Sequence, residues 1–148
     1  MAIVDVNFFS EALMRQVTYK AVIPTDSPDI KGANANHFKP FKTLYLLHGI
    51  MGNCTDWLIR TRIAELAQKH NVAVVMPSGE NSFYVDQEAG HNYFGEFIGR
   101  ELVEETRKLF PLSTKREDTF IGGLSMGGYG ALRNGLKYYK TFGAIVAL

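Results

Sequence analysis

The stretch Gly123-Leu124-Ser125-Met126-Gly127 is preceded by the strand-like run Thr119-Phe120-Ile121-Gly122 and followed by a helix-like run from Tyr129 to Tyr139. Strand, G-x-S-x-G and helix together are the setting of a nucleophile elbow. Such a turn is very tight, so that the serine oxygen stands exposed at the end of a strand. A side chain at either flanking position would collide with the neighbouring strand or helix. Glycine removes that clash and tolerates the strained backbone. The further small residues Gly128, Gly130 and Ala131 fit a helix packed close against its sheet. Ser125 is therefore the candidate nucleophile, against the plainer reading of a glycine-rich turn.

A serine nucleophile needs a base, and from Met126 to Leu148 there is no Asp, Glu or His. The sequence closes on Phe142-Gly143-Ala144-Ile145-Val146-Ala147-Leu148, an apolar run that reads as one more buried strand. The expectation is a chain cut short, carrying a nucleophile whose base lies further on.

With 148 residues the chain fits one domain, residues 1–148. Its hydrophobic content of 46% and charged content of 21% are ordinary for a globular protein. A net charge of +1 gives no electrostatic reason to expect nucleic acid or an anionic membrane as partner. No apolar run approaches a bilayer-spanning length. Met1 to Asn7 lacks the basic and apolar regions of a secretory signal. The single cysteine, Cys54, excludes an internal disulfide and fits a reducing cytoplasm. Self-association into a homo-oligomer is left open.

Working outward, Met14 to Ile23 alternates, with Val17, Tyr19, Ala21 and Ile23 on one side. Period two suggests an antiparallel strand near a sheet edge, with Ile3 to Phe9 as its partner. Pro24 to Pro40 is rich in Pro, Gly, Asn and Asp and reads as a long surface loop. Thr43 to Leu47, Val72 to Met76, Asp118 to Gly122 and Phe142 to Leu148 are short apolar runs with little alternation. Helical segments lie between them, which predicts an α/β fold with a mostly parallel sheet and crossover helices. The first helix is expected from about Asp56 to His70, with Thr55 as N-cap and Ile59, Ile63, Leu66 and Ala67 as its apolar stripe. The second is expected from about His91 to Phe110, burying Phe94, Ile98 and Leu102 and ended by Pro111. The third begins at the elbow and carries Leu132 and Leu136.

Leu47-His48-Gly49-Ile50-Met51-Gly52 follows the first of these buried strands. Acyl transfer passes through a tetrahedral oxyanion, which needs preorganised donors. One candidate donor is the backbone N–H of Met126, next to the nucleophile. The other is a backbone N–H after His48, assigned here to Ile50. The plainer reading of His48-Gly49 is a strand-ending turn; the elbow favours an oxyanion loop.

The runs Leu44-Tyr45-Leu46-Leu47-His48-Gly49, Asp56-Trp57, Val75-Met76-Pro77 and Phe120 to Gly130 resemble the esterase D-like branch of the α/β-hydrolases. That branch includes tributyrin esterases, S-formylglutathione hydrolases, feruloyl esterases and mycolyltransferases, and the likeness is greatest to the tributyrin esterases. It implies the three-layer α/β-hydrolase fold, truncated after the strand that follows the elbow helix. It implies a serine carboxylesterase acting on small short-chain acyl esters without a cofactor. The matched region is about the N-terminal 55–60% of a domain of roughly 250 residues. The family supplies its acid and then its histidine beyond the position of Leu148. The S-formylglutathione hydrolases carry a Ser-Gly-Leu-Thr-Cys-Thr type oxyanion loop, and this chain has His48-Gly49-Ile50-Met51-Gly52. That departure ranks their activity below general carboxylesterase activity.

The likeness places His48 and Gly49 at the substrate and lets Trp57 and Tyr84 line its pocket. Phe83, Tyr93 and Phe94 read as core. Asp86 reads as a solvated loop carboxylate rather than a contact to a substrate hydroxyl. His37, His48, His70 and His91 all precede Ser125. His48 is expected to brace its turn, and none of the four is expected to act as the base. Cys54 lacks an evident basic partner and reads as a small side chain at a loop–helix junction. No residue cluster has metal-ligand spacing. Two other readings stay open: a non-catalytic binding module, and an acyltransferase of mycolyltransferase type using the same residues.

Overall fold

The computed structural model describes residues 1–25 and 40–148. Residues 26–39 of the expected loop, His37 among them, lie outside the described residues. The chain opens with β1 (Ala2–Ser10) and β2 (Arg15–Ile23), an antiparallel hairpin in register from Ala2 opposite Ile23 to Ser10 opposite Arg15. Then come β3 (Lys42–Leu47), α1 (Asp56–Arg60), α2 (Ile63–His70) and β4 (Val72–Pro77). A small antiparallel pair follows, β5 (Asp86–Gln87) with β6 (Asn92–Tyr93). It leads into α3 (Phe94–Glu96), a π-helical turn over Phe97–Glu101, and α4 (Leu102–Leu109). The last elements are β7 (Thr119–Gly123), α5 (Met126–Lys137) and β8 (Ala144–Ala147).

The main sheet has the order β1-β2-β4-β3-β7-β8. β4, β3, β7 and β8 run parallel, and the hairpin joins antiparallel through β2 and β4. Because successive residues of a strand face opposite ways, each parallel strand feeds two cores. Tyr45, Leu47, Ala73 and Val75 pack on one face with Phe97, Ile98, Leu102 and Ala131. Leu46, Val74 and Met76 pack on the other with Ala67, Ile63 and Trp57. Helices cover both faces of a mostly parallel sheet, which is the predicted α/β arrangement.

The helices depart from expectation in three places. The first is broken at Thr61, whose hydroxyl donates to the Trp57 carbonyl and accepts from the Ile63 N–H at 3.1 Å. This side chain competes with the helix for its own backbone partners. The break shifts the helical phase, so Ile59 is 72% exposed and Leu66 also faces out, while Ala67 is buried. Thr55 stands at the N-cap without capping, and its hydroxyl donates to the Asn53 side chain at 2.7 Å. His91 opens no helix: it has φ 52° in the β5–β6 turn, and helix begins at Phe94. α4 does stop before Pro111, with Phe110 extended as the residue before a proline prefers. Leu132 and Leu136 of α5 are exposed, and its buried side is Gly127, Gly128, Ala131, Asn134 and Gly135.

One polar pair crosses the larger core. The Thr106 hydroxyl donates to the Leu102 carbonyl at 2.8 Å, so the Tyr45 hydroxyl donates to it at 2.7 Å. Burial pushes the Tyr45 phenol up to about 12. Thr106→Val leaves that hydroxyl without an acceptor, and a buried unsatisfied donor costs about 1–3 kcal/mol. Urea unfolding of the variant is expected to show a loss of that size with an unchanged m-value. An unchanged midpoint would show that the pair contributes nothing.

Candidate active site

β7 ends at Gly123 and α5 begins at Met126, which leaves Leu124 and Ser125 to turn the chain. Ser125 has φ 57° and ψ −116°, a conformation that costs a non-glycine residue energy. A Cβ on Gly123 would lie 2.3 Å from the Gly127 carbonyl oxygen. A Cβ on Gly127 would lie 2.4 Å from the Leu47 oxygen and 2.7 Å from that of His48. Both positions therefore demand glycine, one against the helix and one against the end of β3. The turn is pinned from outside. The Ser125 N–H donates to the Leu148 carbonyl at 2.8 Å, and the Gly127 N–H to that of Leu124 at 2.8 Å. Ser125 is exposed. Among the described residues the N–H of Met126, first in the helix, meets no acceptor.

The loop after β3 abuts this turn. A Cβ on Gly49 would lie 3.7 Å from the Ser125 Cβ. The Gly52 N–H donates back to the Gly49 carbonyl at 3.2 Å, and Met51 has φ 63°. The Met51 N–H donates to the Asn81 side chain at 2.8 Å. The N–H of Ile50, like that of Met126, meets no acceptor among the described residues. Two free backbone donors thus flank one exposed serine.

His48 is buried, and its surroundings fix its tautomer. Nε2 faces the Gly79 N–H at 2.8 Å, and an N–H can only donate. The ring proton therefore sits on Nδ1, donating to the Gly49 carbonyl at 2.7 Å. Burial drives the ring below its ordinary value of 6.5, against the opposing pull of the Gly49 carbonyl and the Asp56 charge. With both nitrogens engaged, this histidine braces the loop. His70 closes α2, and the His91 ring lies edge-on to Tyr93 with its centroid 4.7 Å away.

A cleft of about 250 Å³ opens beside Ser125. His48, Gly49, Ile50 and Trp57 line it as expected, and Trp57 is held by an indole N–H donated to the Leu47 carbonyl at 3.1 Å. Leu124, Asp56, Arg60 and Thr61 line it as well, and sequence reasoning had not placed them there. Two of these were within reach, since Arg60 and Thr61 follow Trp57 by three and four residues and share its face of the expected helix.

Tyr84 is not in the cleft. It is fully buried behind the loop, and its hydroxyl donates to the His48 carbonyl at 3.0 Å. Asp86 is neither a free loop carboxylate nor a wall of the cleft. It accepts from the Glu96 N–H and from Lys137, both at 2.9 Å, and pairs with Arg133 at 3.5 Å. Partial burial raises its pKa, but these donors and charges outweigh it and hold the carboxyl below its ordinary value. Phe94 is core as expected, whereas Phe83 is half-exposed against Tyr129. Cys54 is buried at the loop–helix junction.

The Esterase family model, whose description reads "Putative esterase", matches residues 10–148. An acetyl esterase of Caldicellulosiruptor saccharolyticus is 57% identical over all 148 residues, which cover 56% of that protein. Among solved structures, the fluorophosphonate-binding serine hydrolase F of Staphylococcus aureus superposes with a TM-score of 0.83 at 33% identity, over 97% of this chain and 55% of that one. An S-formylglutathione hydrolase of the same organism superposes with a TM-score of 0.79 at 33% identity, over 97% of this chain and 57% of that one. The chain thus spans little more than half the length of these relatives.

The neutral His48 has a consequence for stability. The unfolded chain protonates this ring below about pH 6.5, and the folded chain, its pKa lowered, does so only at lower pH. Its contribution is complete above the unfolded value and is lost as pH falls, by at most about 1.4 kcal/mol per pH unit. Urea midpoints are expected to fall from pH 7.5 to pH 5.5, and to fall less in His48→Asn. Equal falls in both proteins would show that His48 is not the group responsible.

Proposed function

The chain belongs to the Esterase family, and from that membership we propose that the protein it comes from hydrolyses short-chain carboxylic esters with Ser125 as nucleophile. The observation that carries this reading is the strained serine beside two backbone N–H groups, those of Ile50 and Met126, that are unpaired among the described residues. The Ser125 oxygen attacks the ester carbonyl and gives its proton to a base. The carbonyl oxygen becomes an oxyanion, which the Ile50 and Met126 N–H groups hold. The ester C–O bond then breaks and the alcohol leaves with the proton. Water attacks the acyl-enzyme by the same route and releases the acid. No cofactor enters these steps.

His48 lines the cleft but has both ring nitrogens engaged, by the Gly49 carbonyl and the Gly79 N–H, and neither His70 nor His91 lines it. We assign the base to a histidine beyond Leu148, oriented by an acid also beyond it, within a single hydrolase domain that includes residues 1–148. The size of the cleft and the 57% identity to an acetyl esterase support small acyl groups, with tributyrin a suitable test substrate. A cytoplasmic setting fits the lone, buried Cys54. No helix among the described residues is long and apolar enough to cross a membrane.

An alkyl fluorophosphonate is expected to label the full-length protein, and Ser125→Ala to abolish labelling and lower kcat by about 10⁴-fold or more. The 148-residue chain alone is expected to show only a small residue of that turnover. Labelling that persists in Ser125→Ala would overturn the assignment.

A further inference from the structure

An oxyanion hole works only if its donors are fixed before the reaction, to within about half an ångström. β3 ends at Leu47, so the sheet ladder does not hold Ile50. The holding comes from residues 79–84, through three hydrogen bonds. The Gly79 N–H meets His48 Nε2 at 2.8 Å, the Tyr84 hydroxyl meets the His48 carbonyl at 3.0 Å, and the Asn81 side chain takes the Met51 N–H at 2.8 Å. The Gly49 carbonyl, held by the His48 ring at 2.7 Å, shares one planar trans peptide with the Ile50 N–H. Fixing that carbonyl on one side fixes the N–H on the other.

Tyr84 also reaches the second donor. Its ring lies against Gly79 and Gly130, where an added Cβ would come within 2.1 Å and 2.5 Å of ring atoms. Its carbonyl accepts from the Asn134 side chain at 3.0 Å. Gly130 and Asn134 belong to α5, the helix that opens with Met126. One buried side chain is therefore bonded to the loop of Ile50 and wedged against the helix of Met126.

We propose that Tyr84, assisted by Asn81, is a positioning residue that sets the two oxyanion donors relative to each other. This rests on the esterase reading above. Tyr84 touches no substrate; it acts through the His48 carbonyl and α5, and Asn81 acts through the Met51 peptide.

The test uses the full-length protein. Tyr84→Phe keeps the ring and removes only the hydroxyl. Its kcat is expected to fall about tenfold with KM within about twofold of wild type. Affinity for an alkyl boronic acid, whose serine adduct is tetrahedral, is expected to fall by the same factor as kcat. A purely structural role would not link those two quantities. Asn81 is exposed, so its variants carry the test if Tyr84→Phe does not fold. Asn81→Ala is expected to behave like Tyr84→Phe, and Asn81→Asp, which keeps the acceptor, to stay near wild type. Wild-type kcat in both Tyr84→Phe and Asn81→Ala would overturn the inference, as would a lowered kcat with unchanged boronate affinity. Activity retained in Ser125→Ala would instead remove the esterase reading, and the inference with it.

Discussion

The first turn of α5 lies so close to the end of β3 that one carbon atom at position 127 would sit 2.4 Å from the Leu47 oxygen. Everything at the site depends on that approach. It brings the Met126 N–H, at the positive end of a helix, beside the loop that carries the Ile50 N–H. It forces the chain to turn within Leu124 and Ser125, which puts Ser125 at φ 57°. Such a conformation costs about 1–3 kcal/mol and persists only where the surroundings over-determine it. Here they do so through bonds to the backbone of Leu148, Leu124 and Leu47.

The loop after β3 is held differently. It has no ladder, and its geometry is borrowed from buried polar groups behind it. His48, Tyr84 and Gly79 satisfy one another in a region that a protonated imidazole would disrupt. Such a network is rigid when complete and costly when broken. The division is physically reasonable: covalent chemistry is proposed for an exposed serine, while the residues that aim the donors stay out of water.

Much of this was legible in the sequence. The parallel strands showed because burial on both faces produces short apolar runs, and those at 43–47 and 72–76 fall within a residue of β3 and β4. The elbow showed because close approach admits only glycine. What was hidden depended on groups distant in sequence or on local competition. Thr61 breaks a helix through its hydroxyl, which periodicity does not register. β5 and β6 have two residues each, too few to show a period. Tyr84 resembled a pocket residue until its ring met Gly79 and Gly130, 51 positions apart, and its hydroxyl met His48. Asp86 found its partners on α5, far along the chain.

The central claim is that Ile50 and Met126 supply the oxyanion donors for an attack by Ser125. The most direct test is a crystal structure of the full-length protein with an alkyl phosphonate bonded to the Ser125 oxygen. The mechanism requires one phosphonyl oxygen to lie about 2.7–3.1 Å from both backbone nitrogens. A phosphonyl oxygen facing solvent, with the Ile50 N–H bonded elsewhere, would contradict it.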